Sequence, residues 1–143
     1  MIILDTDAVT FLEHRDSAVS GQLRNRLTVL SSEHDVVATI VTFEEQTRGW
    51  LSVFAQARDP ASLVAAYDRL LVHLNTFKEI DVIAFTLTAE AKFRELRAHK
   101  IRIGTRDLRI AAIALSLDAT LLTRNLHDFS QIPGLSIEDW TKS

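Results

Sequence analysis

Two periods alternate along this chain. Short runs at residues 2–4, 36–41, 80–85 and 119–122 are dominated by aliphatic and β-branched side chains, whereas the stretches between them repeat apolar residues every three or four positions. The first pattern suits strands covered on both faces, the second helices that bury one stripe. Residues 17–30 place Val19, Leu23, Leu27 and Leu30 on such a stripe, with Asp16 or Ser17 as the cap. A helix starting at Thr42 runs through Trp50 and Phe54 to about residue 57, Asp59-Pro60 interrupts it, and a second follows over 61–76 with Leu63, Tyr67, Leu70, Leu71 and Leu74. Residues 88–99 turn Ala89, Phe93 and Leu96 inward, while Leu135, Ile137 and Trp140 predict a last short strand and an anchoring aromatic. Strands alternating with helices predict a three-layer α/β/α sandwich around a mainly parallel sheet of four to five strands, with right-handed crossovers. One domain is expected over residues 1–143, with a helical hairpin at 42–76 whose apolar stripes are rich enough for a partner or dimer surface as well as a core.

The stretch 104–129, GTRDLRIAAIALSLDATLLTRNLHDF, organises the candidate chemistry. A helix apolar on nearly every side leads into the strand 119–122, so Asp107 at the helix start and Asp128 beyond the strand fall at the same edge of a parallel sheet. That is the carboxyl edge, where open α/β folds bind ligands. Asp5 and Asp7 follow the first strand directly, and Asp7 has a plain structural reading as the N-cap of the helix that begins there. Glu45 follows the second strand. Thr42 and Glu45 together fit a Thr-x-x-Glu capping box, which gives Glu45 a structural reading beside the functional one.

Composition narrows the choices. With no cysteine, neither disulfides nor thiolate metal ligation is available, and the histidines show no paired metal-ligand spacing, which speaks against a zinc site. The opening MIILDTDAV has no basic leader and no run of eighteen apolar residues occurs, so the expected location is the cytoplasm, with no membrane span. The formal charge of −3 hides a segregation: residues 92–109 hold seven basic side chains against two acids. Such a block is either a solvated helix face or a rim that tracks phosphates beside Asp107, with Arg102, Arg106, Arg109 and the later Arg124 as candidate contacts.

Asp5, Glu45, Asp107 and Asp128 come from separated segments that this topology delivers to one face. Clustered carboxylates raise one another's pKa unless something neutralises them, and a hard divalent cation such as Mg2+ or Mn2+ takes oxygen ligands of this kind. Such an ion can activate water for phosphodiester hydrolysis. Thr123 or Asn125 could position a ligand or a water, and Asn125 is equally sound as a helix cap. The glycines form neither a dinucleotide fingerprint nor a phosphate loop.

These residues resemble the PIN-domain family, in particular the VapC-like toxin ribonucleases of type II toxin–antitoxin systems. The likeness runs through ILDTD, TIVTFEEQTRG, GTRDLRIAAIAL and ATLLTRNLHDFSQIPGLSIEDW, which together span almost the whole chain. The resemblance implies the same α/β/α fold, catalytic and metal-binding acids at Asp5, Glu45, Asp107 and Asp128, and supporting polar residues at Thr123 and Asn125. It further implies an RNA substrate, a small antitoxin whose C-terminal tail blocks the site, and a homodimer. Three positions depart from the family pattern or blur it: Asp7 stands where asparagine is common, Arg106 replaces an apolar residue, and Glu44 adjoins Glu45. Two other readings compete. Asp5-Thr6-Asp7-Ala8-Val9 also fits the opening of haloacid-dehalogenase-like phosphatases, with Asp5 as nucleophile and Asp7 as acid, and a PIN-like binding module without turnover would keep the same fold.

Overall fold

The computed structural model describes residues 1–14 and 17–142. Five strands, β1 (Ile2–Leu4), β2 (Val36–Thr39), β3 (Asp81–Ile83), β4 (Thr120–Leu122) and β5 (Ser136–Glu138), form one sheet in the order β3-β2-β1-β4-β5, every pairing parallel. The chain therefore starts at the middle of the sheet, grows outward to β3, and returns to the other side of β1 for β4 and β5. That reversal opens a crevice between the carboxyl ends of β1 and β4. The expected three-layer sandwich is what is found, with all strands parallel.

Alternation along the strands decides which layer each residue joins. Ile3, Val37 and Leu121, side by side in register, face a core shared with α5 (Leu87–Ala98) and α6 (Thr105–Ser116). Ile2, Leu4, Ala38 and Leu122 face the opposite core, against α1 (Thr6–Glu13) and α2 (Ala18–Ser31), where Trp140 is buried as the anchor its position suggested. Helix α6 is buried almost all round (Leu108 and Ile110 to Ala114), as a helix packed between sheet and neighbour must be. Asp118, in the left-handed region at φ 51°, closes that helix and turns the chain into β4, a conformation aspartate tolerates better than most residues.

The hairpin is α3 (Ile40–Gln56) and α4 (Pro60–Lys78), with Asp59 capping α4 and Pro60 at its first position. It is pinned to α1 by a buried histidine. His73 Nδ1 meets Glu13 Oε1 at 2.8 Å, its Nε2 meets Thr47 Oγ1 at 2.9 Å, and its ring stacks on Phe43. Much of the outer apolar stripe of the hairpin remains exposed, including Leu51, Val64, Tyr67 and Leu71.

Two capping assignments are corrected. Asp5, not Asp7, is the N-cap of α1, accepting the Ala8 N–H at 3.3 Å. Thr39, not Thr42, caps α3, because strand β2 ends two residues earlier than its apolar run suggested and the helix begins at Ile40. Glu45 then lies in the second turn, too far along to close a capping box. Ser17 caps α2; the alternative, Asp16, lies outside the described residues.

The buried Glu13–His73 pair yields a stability prediction. Both side chains are nearly inaccessible (4 % and 3 % exposed), so His73→Phe should strand the Glu13 carboxylate and lower the unfolding free energy by about 3 kcal/mol, measured by urea denaturation. The double variant His73→Phe/Glu13→Leu should recover much of that loss.

Candidate active site

Each acid reaches the crevice by a different route. Asp5 is the first residue after β1 and is buried; one carboxylate oxygen caps α1 while the other accepts the Thr123 hydroxyl at 2.5 Å. Thr123, fully buried just past β4, also accepts the Asn125 N–H at 2.9 Å. Asn125 caps the short α7 (Leu126–Phe129) and donates its amide N–H to Asp128 Oδ2 at 3.0 Å. A continuous chain of hydrogen bonds thus runs from Asp5 through Thr123 and Asn125 to Asp128. The cap read for Asn125 is what is found, and its side-chain amide also orients Asp128.

Asp107 enters from the opposite direction, in the first turn of α6, whose N-terminal Gly104 contributes no side-chain cap. Glu45 approaches from α3, its Oε2 accepting the Thr6 hydroxyl at 3.0 Å. Glu45, Gly104, Thr105, Arg106, Asp107 and Arg109 line a cleft of about 320 Å³.

The electrostatics report how close the acids come. The Asp107 carboxyl is pushed up to about 6, first by burial and then by the charges of Glu45, Asp5, Asp128 and Asp7. Asp5 is raised as well, chiefly by burial, with Asp7 adding to the effect against the hydrogen bonds from Thr123 and Ala8. Five carboxylates therefore share one field. Among the described residues no three acidic or histidine side chains close around a common point. Mutual repulsion acts over longer distances than coordination, so the two observations agree. The acids supply only oxygen donors, the type a hard cation takes when it keeps several of its waters and meets one or two carboxylates directly.

The other sequence candidates separate. Asp7 is exposed, with the Arg124 guanidinium 3.5 Å away. Arg124 also lies over the rings of Phe11 (4.7 Å) and Trp140 (5.6 Å), so its cation is held at the β4 edge rather than free to follow a polyanion. Arg106 and Arg109 line the acid cleft, and Arg109 rests on Phe93 at 5.1 Å. Arg102 is exposed on the loop leading to α6. Each Asp5 oxygen accepts one hydrogen bond and keeps a lone pair, so these bonds do not decide between the phosphatase reading and a metal-binding one. Thr6, which donates to Glu45, and the buried Thr39 and Thr42 behind it were not singled out in the sequence as site residues; the signal was the position of Thr6 between two aspartates.

No family model matches the chain. It is 26 % identical over 140 residues to Ribonuclease VapC1 of Haemophilus influenzae (strain R2866), covering 98 % of each chain. It is 36 % identical over 67 residues to Ribonuclease VapC2 of Rickettsia felis, a match spanning 50 % of that relative's length. In three dimensions it resembles the DNA-bound VapBC of Salmonella typhimurium, with a TM-score of 0.78 at 24 % identity, over 97 % of both chains. In sequence along its length and in fold, the chain is VapC-like.

The raised Asp107 fixes the sign of a pH effect. In the unfolded chain this carboxyl ionises near its ordinary value, so between about pH 4 and 6 the folded state holds the extra proton and stability falls as pH rises. Because Asp107 is partly solvated, the effect is about 1 kcal/mol after screening. Denaturant titrations of ion-free protein should show that slope, and Asp107→Asn should flatten it and raise stability at about pH 7.5.

Proposed function

We propose that this VapC-like chain is a metal-dependent endoribonuclease, the toxin of a toxin–antitoxin pair, acting in the cytoplasm. The observation that carries the reading is the Asp107 cleft: five carboxylates in one field, two arginines on its wall, on a chain alike along its length to ribonucleases VapC. One or two of Asp5, Glu45, Asp107 and Asp128 would meet the ion directly, and the others through its waters. When bound, Mg2+ or Mn2+ lowers the pKa of a water and offsets charge on the phosphate.

The remaining work falls to side chains. Thr123 and Asn125 fix the carboxylates of Asp5 and Asp128 by direct hydrogen bonds, so these need not reorganise when substrate arrives. Arg106 and Arg109, with Arg102 above them, would draw the RNA backbone across the acids; without them the cleft would repel its substrate. Arg124 balances Asp7 at the far wall. An antitoxin protein and a second copy of the chain are the proposed partners, and the exposed apolar stripe of α4 offers surface of the kind such contacts need.

Two outcomes are expected. Purified antitoxin-free protein should cut a panel of structured RNAs with Mg2+ or Mn2+ and not with chelator, and Asp107→Asn should lose roughly a hundredfold or more of that activity. Cleavage unchanged in that variant would rule the cleft out. Neutralising Arg102 and Arg106 should weaken RNA binding and flatten the slope of log affinity against log salt by about 0.7 for each phosphate no longer neutralised.

A further inference from the structure

We infer that Thr6 is a positioning residue for Glu45, standing at the end of a one-way relay of threonine hydroxyls that begins in β2. The activity part of this inference rests on the ribonuclease reading; the geometric part does not.

The direction of the relay follows from proton counting. A threonine hydroxyl has one proton to give and can accept two. Thr6 Oγ1 gives its proton to Glu45 Oε2 at 3.0 Å, so in its 3.2 Å contact with Thr42 Oγ1 it must accept. Thr42 has then spent its own proton and accepts from Thr39 Oγ1 at 3.4 Å. Thr39 in turn accepts the Thr42 N–H at 3.1 Å as the α3 cap. The direction from Thr39 through Thr42 and Thr6 to Glu45 is therefore fixed, and both Thr39 and Thr42 are fully buried, out of reach of competing water.

Thr6 is also held by its backbone. Its carbonyl accepts the Thr10 hydroxyl at 3.0 Å and the Gln46 amide at 3.4 Å, and Gln46 donates to Thr10 Oγ1 at 2.9 Å. The donor that meets Glu45 is thus anchored to α1 and α3 together. Glu45 needs such an anchor more than the other acids. It is the longest acidic side chain in the pocket, it projects from the second turn of α3, and it stands near the Asp107 carboxylate. Asp5 has Thr123 and Asp128 has Asn125; Thr6 is the equivalent for Glu45.

The test compares Thr6→Val, which keeps the shape and deletes the hydroxyl, with Thr6→Ser, which keeps the hydroxyl. In protein without metal or RNA, NMR relaxation of the Glu45 side chain should show a rigid carboxylate arm in the parent and Thr6→Ser, and a mobile one in Thr6→Val. With RNA, kcat should fall about tenfold in Thr6→Val while KM changes less than about twofold, Thr6→Ser should restore it, and adding Thr6→Val to Glu45→Gln should cost nothing more. Thr6→Ala serves for the same measurements should the valine not fold. An equally rigid Glu45 in Thr6→Val, a serine as impaired as the valine, or losses that add in the Glu45→Gln background would each overturn the role. A parent that cuts no RNA would defeat the ribonuclease reading alone, since the NMR comparison needs neither substrate nor ion.

Discussion

Repulsion between carboxylates is the constraint that the rest of this structure manages. Parallel strands put their carboxyl ends on one edge, and the reversal between β1 and β4 opens a crevice there, so every acid placed just after a strand or at the start of a returning helix meets the others. Burial pushes the Asp107 carboxyl up first, and the charges of Glu45, Asp5, Asp128 and Asp7 add to it. A fold seeking stability alone would place asparagine or an apolar residue at such positions, which is why the cluster reads as functional.

The crowding is eased because three of the five acids are held by neutral donors. Thr123 meets Asp5, Asn125 meets Asp128, and Thr6 meets Glu45. Neutral donors fix a carboxylate without removing its charge, whereas a buried arginine would quench the field that attracts a cation. Asp107 has the position most exposed to its neighbours' charges and is the acid whose protonation responds most visibly. The arginines stand on the wall and rim, where they can meet an incoming polyanion instead.

Distance from the acids does not mean irrelevance. Glu45 depends on where α3 lies, and α3 is fixed by the His73 knot to α1 and α4 and by the threonine seam against α1. The same hairpin carries exposed leucines, valines and a tyrosine on its outer face, so one unit sets an active-site carboxylate and offers an apolar surface outside.

The order of elements, the parallel sheet and the four acids at one edge were all legible in the chain, because burial on two faces forces apolar runs and the sheet edge follows from topology. The starts of α1 and α3 were not. Asp5 and Asp7, or Thr39 and Thr42, are equivalent as capping residues in sequence, and only the point where the strand's hydrogen bonds stop selects between them. The partners of Glu45 were hidden for a related reason: Thr6 and Glu45 are 39 positions apart, and nothing local distinguishes a threonine aimed at solvent from one aimed at a carboxylate. Sequence by itself determined which residues gather, since that depends on periodicity and chain direction; the tertiary structure alone decided who holds whom, since a hydrogen bond depends on a few tenths of an ångström that periodicity does not encode.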